Sequence, residues 1–202
     1  MSDYEFTQDW FHWAPEVWTQ LIPHLPGRQA FLEIGSFEGR STVWMLENML
    51  DDGGYIDCID TWEGGEEHTG AQLDGVEARF DRNTEKAMLK FACETGVLRN
   101  VEKYKGSSVI QLADMLSNQV GSYDFIYIDG SHVAKDVMTD ACMAWPLLKS
   151  GGIMVFDDYM WGEPKDILHK PKLAIEYFTT LFAEELEYLH IGYQMAVRKR
   201  RK

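Results

Sequence analysis

The sequence has few cysteines, and this scarcity argues against a zinc-binding protein and against a disulfide-stabilised secreted domain. Three cysteines occur in 202 residues, an odd number at wide spacing, namely Cys58, Cys93 and Cys142. Such spacing matches neither a zinc site nor the paired pattern of a disulfide-stabilised secreted domain. We therefore expect three free thiols in a reducing compartment, each behaving as a small buried hydrophobic side chain.

Positive charge is also scarce. The chain carries 19 Lys and Arg against 33 Asp and Glu, which gives a net charge of −14 at pH 7. A surface this acidic repels phosphate backbones, so nucleic acid is not expected among the partners. The exception is the basic stretch 198–202, which a solvated strand end explains without a function. Binding of this stretch to nucleic acid or to a membrane is the alternative interpretation.

Long apolar runs are missing as well. No segment approaches the roughly 20 apolar residues that a membrane-spanning helix requires. The first residues lack the basic region and apolar core of a secretory signal. The sequence therefore predicts a cytoplasmic protein without membrane contact, and 202 residues suit a single globular domain. Within it we distinguish an N-terminal helical segment, residues 1–27, from the main domain, residues 28–202.

Strand and helix patterns alternate along the chain. Strands are predicted at residues 30–34, 55–60, 101–105, 123–128, 152–156, 188–191 and 194–198. Helices are predicted at residues 14–24, 40–50, 76–93, 109–116, 133–148 and 173–185. This alternation predicts an α/β fold, doubly wound, with a mostly parallel seven-stranded sheet and helices on both faces. The last two strands leave no room for a crossover helix, so we expect a hairpin that makes one edge strand antiparallel.

The segment at residues 31–41 predicts a strand, a glycine turn and a helix in succession. Glu33 precedes Gly35 and Gly39, which differs from the Gly-x-Gly-x-x-Gly loop of dinucleotide sites. A carboxylate here would oppose a pyrophosphate and suits a ligand with positive charge and free hydroxyls. Asp60 ends the next strand, where an acid accepts hydrogen bonds from ribose hydroxyls. A plain strand–turn–helix with surface acids is the alternative interpretation.

Two further predicted strands end in acids. Asp129 follows the fourth strand, and Asp157 and Asp158 follow the fifth. Carboxylates gathered at one place raise one another's pKa unless a cation intervenes, and oxygen donors suit Mg²⁺, Mn²⁺ or Ca²⁺. His132 comes three residues after Asp129 and is a candidate general base, although a single histidine is more often structural.

Taken in order, these pieces resemble the class I S-adenosylmethionine-dependent methyltransferases. More narrowly, they resemble the divalent-metal-dependent O-methyltransferases of the catechol type and of the sugar and macrolide type. The resemblance spans residues 28–200 and rests on Leu-Glu-Ile-Gly-Ser-Phe-Glu-Gly-Arg-Ser-Thr, Cys-Ile-Asp-Thr-Trp, Lys-Gly-Ser-Ser, Ile-Tyr-Ile-Asp-Gly-Ser-His and Leu-Lys-Ser-Gly-Gly-Ile-Met-Val-Phe-Asp-Asp-Tyr. It implies a Rossmann-like sheet.

The resemblance also implies a set of cofactor-binding residues. They are Glu33, Gly35, Ser36, Gly39, Ser41, Asp60, Trp62, Ser108 and Asp129. Within this set, Glu33 and the glycine loop would hold the amino acid part of S-adenosylmethionine, and Asp60 would bind the ribose. Trp62 and Ser108 would flank the adenine.

By the same resemblance, Asp129, Asp157 and Asp158 would hold Mg²⁺ or another divalent cation. His132 occupies the place where catechol-type members have a lysine and sugar-type members a histidine, which favours the sugar or macrolide side. The implied activity is metal-assisted O-methylation of a small molecule, a sugar or a natural product, with Asp129 and His132 as catalytic residues and His132 as the base. A hydroxylase-like enzyme and a catalytically idle cofactor-binding protein on the same scaffold are the alternatives.

Aromatic residues crowd the start of the chain, at Phe6, Trp10, Phe11, Trp13 and Trp18. One interpretation is a helix that packs its apolar face on the domain. The others are a lid, an acceptor wall or a subunit contact, so a homo-oligomer stays open. Tyr159 and Trp161, which follow the proposed metal ligands, are placed to touch an acceptor.

Overall fold

A computed structural model describes residues 4–65, 68, 70–162 and 166–201, which build one seven-stranded sheet. The strands are β1 Ala30–Ile34, β2 Tyr55–Asp60, β3 Asn100–Lys105, β4 Tyr123–Ile128, β5 Leu148–Phe156, β6 Leu186–Ile191 and β7 Met195–Lys199. Their order is β3-β2-β1-β4-β5-β7-β6. Neighbours from β3 to β5 are parallel, and β7 is antiparallel to β5 and β6. The predicted fold class is confirmed, and the antiparallel strand lies one place in from the edge, which β6 occupies.

Helices cover both faces of this sheet. They are α1 Ala14–Leu21, α2 Arg40–Asn48, α3 Gly70–Leu73, α4 Val76–Thr95, α5 Ser108–Leu116, α6 Ala134–Ala144 and α7 Pro171–Leu181. The cluster of buried side chains from α1, α2 and α4 lies on one face, and that from α5, α6 and α7 lies on the other. In the described part of the chain, no helix is both long and apolar enough to cross a bilayer.

The central strands bury both of their faces. Phe31 and Phe125 pack beside Trp18 of α1, whose ring centroid lies 5.2 Å from that of Phe125. The residues next in sequence, Leu32 and Ile126, point to the opposite face and join the other cluster. Because both faces are covered, these strands read as nearly continuous apolar runs.

The carboxyl ends of three strands are level. Ile34 pairs with Ile128, and Ile128 pairs with Phe156. The next residues extend the ladder, because the N–H of Asp129 donates to the carbonyl of Ile34 at 2.8 Å and the N–H of Asp157 donates to that of Ile128 at 3.0 Å. Strand order reverses between β1 and β4, the position at which ligands bind in such sheets.

Several predicted boundaries are shifted, most clearly the end of α6. The helix expected over 133–148 ends at Ala144, and β5 already begins at Leu148. Pro146 lies in a short 3₁₀ turn between them, and a proline inside a helix removes a hydrogen bond and clashes with the preceding turn. The segment between β2 and α4 contains the short α3.

The burial of the three cysteine thiols differs from the prediction. Cys58 is buried, whereas Cys93 and Cys142 are exposed, so the prediction of three buried thiols is wrong for two of them. Both exposed thiols lie on surface faces of long helices, α4 and α6, where helical periodicity directs every third or fourth residue to solvent.

The basic C-terminal stretch takes part in the fold. The Lys199 ammonium donates to the carbonyl oxygens of Trp145 at 2.7 Å and of Leu148 at 3.0 Å. Arg198 pairs with Glu187 on the neighbouring strand. These contacts tie the last strand to the sheet and give the charges a structural use.

Asp57, in the middle of β2, is a buried carboxylate with 1% of its surface exposed. The Tyr123 hydroxyl donates to Oδ2, and Oδ1 has no partner among the described residues. Burial raises the pKa of Asp57 to about 6. The folded chain therefore binds this proton more tightly than the unfolded chain does.

A pH-dependent stability follows from Asp57. Its contribution is complete below about pH 4 and is lost as the pH rises through its folded pKa. Because Asp57→Asn removes the titration, the wild type should lose about 3 kcal/mol of unfolding free energy relative to the variant between about pH 4 and pH 8. Urea unfolding of both chains at the two pH values measures this difference. The same pH dependence in both chains would contradict it.

Candidate active site

The site begins where the chain leaves β1. Gly35 has a φ of +87°, and its N–H donates to the carbonyl of Ile59 at 2.8 Å. A Cβ added at Gly35 would lie 2.0 Å from the carbonyl oxygen of Asp129. Glycine therefore allows the loop after β1 to pass directly beside the end of β4.

Glu33 lies beneath this loop and is fully buried. The hydroxyls of Ser41 and Thr42, in the first turn of α2, each donate to one of its carboxylate oxygens. Burial raises the pKa of Glu33, and these hydrogen bonds oppose the shift. Glu33 thus ties β1 to α2.

Asp60 holds the loop from the side of β2. Its Oδ2 accepts hydrogen bonds from the backbone N–H groups of Ser36 and Phe37, both at 2.8 Å. Its Oδ1 accepts from the N–H of Trp62 at 2.7 Å, and the Trp62 indole donates to the Phe37 carbonyl at 2.8 Å. Each carboxylate oxygen has two lone pairs, so Oδ2 is fully used and Oδ1 keeps one lone pair for a hydroxyl donor in the cavity.

Three carboxylates meet at the ends of β4 and β5. Oxygens of Asp129, Asp157 and Asp158 all lie within 4.8 Å of one another. The Tyr127 hydroxyl donates to Asp157 and lies 3.0 Å from an oxygen of Asp129. The Gln194 amide donates to the other oxygen of Asp157 at 3.1 Å. The structure thus brings the three acids together at one edge of the sheet.

The proximity of these carboxylates changes the pKa values of the groups in the cluster. Loss of solvent, followed by the charges of Asp157 and Asp158, raises the pKa of Asp129 well above its usual range, although part of its surface faces the open cavity. Burial and the charge of Asp158 also raise the pKa of Asp157. Burial raises the pKa of Tyr127, so its hydroxyl stays protonated and donates. A bound cation would favour the ionised carboxylates instead.

His132 faces Asp158. Its Nε2 lies 2.5 Å from one oxygen of Asp158, and the Tyr193 hydroxyl donates to the other at 2.7 Å. The imidazole stacks on Trp161 with centroids 4.3 Å apart and an interplanar angle of 8°. Asp158 and Trp161 therefore orient the ring, and the Asp158 charge would stabilise the imidazolium that forms when His132 takes a proton.

A cavity of about 700 Å³ joins these groups. Among the candidate residues, those that line it are Gly35, Asp60, Trp62, Asp129, His132, Asp157 and Asp158. Ser36 and Ser41 line a smaller pocket that shares Gly35, Asp129 and Asp157 with the large one.

The remaining candidates lie outside both spaces. Glu33 supports the loop from below, and Gly39, with a φ of +78°, precedes the first turn of α2. Ser108 begins α5 and hydrogen-bonds with the buried Asp140 of α6.

Sequence reasoning missed several residues of the site. Tyr127 lies two positions before Asp129, and the period of two in a strand was a signal that both face the same side. Tyr193 and Gln194 come from the turn between β6 and β7, where no local pattern marks them. Arg40 lines the smaller pocket, and its buried Nε has no partner among the described residues.

The donor set fits a hard divalent cation. Three carboxylates offer oxygen ligands that lie within 4.8 Å of one another, and no described Lys or Arg lines the large cavity to balance their charge. Oxygen ligands suit Mg²⁺, Mn²⁺ and Ca²⁺, whereas structural zinc sites prefer thiolates and imidazoles.

A family model described as a methyltransferase domain matches residues 32–159, from β1 to just beyond β5. An uncharacterized protein of Acanthamoeba polyphaga mimivirus is 28% identical over 134 residues, which are 64% of this chain and 51% of that protein. The chain thus spans about half the length of the curated relative that it matches.

Solved structures share the fold. The O-methyltransferase TomG from Streptomyces achromogenes, involved in tomaymycin synthesis and solved in complex with S-adenosylmethionine, matches with a TM-score of 0.65 at 17% identity, over 100% of this chain and 84% of that one. An O-methyltransferase from Bacillus cereus, solved with S-adenosylhomocysteine, matches with a TM-score of 0.62 at 18% identity, over 98% and 84%. At this identity the likeness shows the fold alone.

The close approach at Gly35 can be tested against a matched glycine. Gly53 also has a positive φ, +78°, but a Cβ added there meets nothing within 4 Å. Gly35→Ala and Gly53→Ala both carry backbone strain of about 1–2 kcal/mol, and Gly35→Ala must in addition push the loop away from Asp129. Gly35→Ala should therefore lower the free energy of unfolding by about 2 kcal/mol more than Gly53→Ala. Chemical denaturation compares the two, and equal losses would rule out the contact as a constraint.

Proposed function

The chain belongs to the methyltransferase-domain family, and from this premise we propose that it transfers a methyl group from S-adenosylmethionine to a hydroxyl of a small molecule. One observation carries the proposal: Asp60 and Trp62 line the same cavity as Asp129 and His132. A cofactor-binding loop and a set of acid–base groups thus share one space beyond the carboxyl ends of parallel strands, where α/β sheets bind ligands.

The nucleoside part of the cofactor is assigned to the large cavity. Asp60 would accept a hydrogen bond from one ribose hydroxyl with the Oδ1 lone pair that the loop leaves open. Trp62 offers an aromatic face for the adenine. Ser108 has no contact with the cavity, so its support rests on the resemblance alone.

The methionine part is assigned to the smaller pocket. Ser36 and Ser41 lie there, together with the α2 N-terminus. Asp129 lines it too and would pair with the cofactor's ammonium group. We add Arg40, because its buried and unpartnered Nε suits the cofactor's carboxylate. Glu33 would act from below by holding the loop.

A divalent cation, Mg²⁺ or a similar ion, is assigned to Asp129, Asp157 and Asp158. When bound, such an ion supplies positive charge that lowers the pKa of a nearby acceptor hydroxyl. Tyr127 and Gln194 would keep Asp157 oriented, since both donate hydrogen bonds to it.

His132 is assigned the role of general base. It would accept the proton of the acceptor hydroxyl while the hydroxyl oxygen forms a bond to the methyl carbon and the carbon–sulfur bond of the cofactor breaks. S-adenosylhomocysteine and the protonated imidazole are left, and the Asp158 carboxylate balances the charge of the imidazolium. Most of the rate enhancement would come from holding the oxygen in line with the methyl group.

The acceptor is assigned to the sugars or ring-containing natural products. Aromatic side chains form much of the cavity wall, including Trp10, Trp13, Trp161 and Tyr193. Such faces pack against flat or ring-shaped ligands, and the carboxylates among them accept hydrogen bonds from further hydroxyls.

The activity is tested with radiolabelled S-adenosylmethionine and a panel of hydroxylated sugars and phenols. We expect transfer to at least one acceptor, with a product heavier by one CH₂ group. A product heavier by one oxygen would favour the hydroxylase alternative, and binding of S-adenosylhomocysteine without turnover of any acceptor would favour the idle one. His132→Ala should lower kcat by about 10²–10⁴-fold, whereas His24→Ala, at an exposed position outside the cavity, should not.

Metal binding has its own readout. Titration of Mn²⁺ followed by electron paramagnetic resonance should show one tight site in the wild type. Asp157→Asn should weaken it by about 10–100-fold, while Asp114→Asn, which changes an exposed acid on α5, should leave it unchanged. Methyl transfer that persists unchanged in a chelator and in Asp157→Asn would remove the metal from the mechanism.

A further inference from the structure

The first described residues form a segment that runs across the glycine loop, and we call residues 4–13 the strap. Four strap residues line the large cavity, namely Asp9, Trp10, His12 and Trp13. Phe11 turns the other way and is buried against Trp18, with ring centroids 4.9 Å apart. The strap therefore supplies part of the cavity wall, and its position sets the shape of the cavity.

Glu38 is the main polar contact of the strap. It lies in the loop between β1 and α2, and 2% of its surface is exposed. One carboxylate oxygen accepts from the Thr7 N–H at 2.7 Å, and the other accepts from the Thr7 hydroxyl at 2.7 Å and from Arg79 Nε at 2.6 Å. Hydrogen bonds to a buried charged group are roughly twice as strong as neutral ones.

Asn83 of α4 extends the same attachment. Its Oδ1 accepts from the Glu5 N–H at 2.8 Å, and its Nδ2 donates to the Glu38 carbonyl at 2.9 Å. Asn83 is 1% exposed, so its bond to Glu38 is buried and its bond to Glu5 is partly buried. Strap, glycine loop and α4 are thereby joined through two buried side chains.

The other polar contacts of the strap lie nearer the surface than Glu38 and are weaker candidates for holding it. The Tyr4 hydroxyl donates to Glu47 at 2.6 Å, and the Glu47 side chain is 29% exposed. The ion pair between Arg82 and Glu5 is more than half exposed on both sides. The pair between Arg40 and Asp9 has an Asp9 side chain that is 63% exposed. Exposed pairs of this kind contribute little to stability, so the buried carboxylate of Glu38 dominates.

We propose that Glu38 is a positioning residue that fastens the strap, and with it the wall formed by Trp10 and Trp13, to the cofactor loop. The reason is that Glu38 connects the strap to the loop that Asp60 holds. Glu38 is next to Phe37, whose N–H is held by Asp60. A ligand that orders this loop therefore also orders the strap, and release of Glu38 frees the wall.

The identity of that ligand rests on the proposed function, because S-adenosylmethionine is assigned to the same loop. Binding of the cofactor would close the wall before the acceptor arrives. The role of Glu38 in holding the strap does not depend on that assignment and is tested without any ligand.

Limited proteolysis measures directly how often the strap detaches from the domain. Chymotrypsin cleaves after aromatic residues, and the strap offers Tyr4, Phe6, Trp10, Phe11 and Trp13. Trypsin has no site before Arg28, so its cleavage rate reports the opening of the rest of the chain. Initial rates at each site are measured by mass spectrometry for the wild type, Glu38→Gln, Thr7→Val and the control Glu94→Gln.

Glu38→Gln should raise the rate of chymotryptic cleavage in the strap by about tenfold, since cleavage follows the population of the open segment. Thr7→Val removes a single hydroxyl, keeps the side-chain shape and should give a smaller rise of about threefold. Glu94 is an exposed acid near the end of α4 and lines neither pocket, so Glu94→Gln should leave the rate within about twofold. Tryptic rates should not change in Thr7→Val or Glu94→Gln.

Saturating S-adenosylhomocysteine should slow strap cleavage in the wild type and protect Glu38→Gln less. Wild-type rates in the strap of both Glu38→Gln and Thr7→Val would overturn the positioning role. If calorimetry shows that both chains bind S-adenosylhomocysteine and the ligand protects both equally, the proposed coupling between cofactor binding and closure of the strap is overturned. If the wild type fails to bind S-adenosylhomocysteine, the proposed function and the coupling both fail, and the cleavage rates without ligand still decide the role of Glu38.

Discussion

The level ends of β1, β4 and β5 are the constraint on which the rest of the site depends. Parallel pairing places Ile34, Ile128 and Phe156 side by side, and the ladder continues into the residues that follow. The loop after β1 and the acids Asp129 and Asp157 must then emerge at the same height. A shift of one residue in this register would turn the acids to the other face of the sheet.

Because the acids at the strand ends lie close together, their negative charges repel one another. Hydrogen-bond donors from distant parts of the chain stabilise them. Tyr127 and Gln194 donate to Asp157, and Gln194 in turn accepts from the Trp18 indole at 2.7 Å. Tyr193 donates to Asp158. Neutral donors of this kind fix the direction of each carboxylate without cancelling its charge. The remaining negative charge is what would give the cluster an affinity for the proposed cation.

The sequence was enough to predict the strands and the acids at their ends, because buried parallel strands are apolar runs and their carboxyl ends share one edge. It was not enough to predict the partners that orient those acids. Trp18 and Gln194 are separated by 176 positions, and nothing local marks either as half of a pair. Glu38 illustrates the same limit, since its role appears only when Thr7 and Arg79 are brought to it.

The groups assigned to the cofactor and those assigned to the acceptor lie on different parts of the fold, and this separation has a consequence for specificity. The groups assigned to the cofactor lie on the loops after β1 and β2, which the sheet holds directly. The groups assigned to the acceptor come from the strap at one end of the chain and from the β6–β7 turn at the other, where Trp13 meets Tyr193 with centroids 4.6 Å apart. A wall built from the two ends of the described chain can change shape without disturbing strand register. By these assignments, the choice of acceptor is mechanically separable from cofactor binding except through the contacts between the strap and the segment after β1, namely Thr7 with Glu38, Asp9 with Arg40 and Trp10 with Phe37.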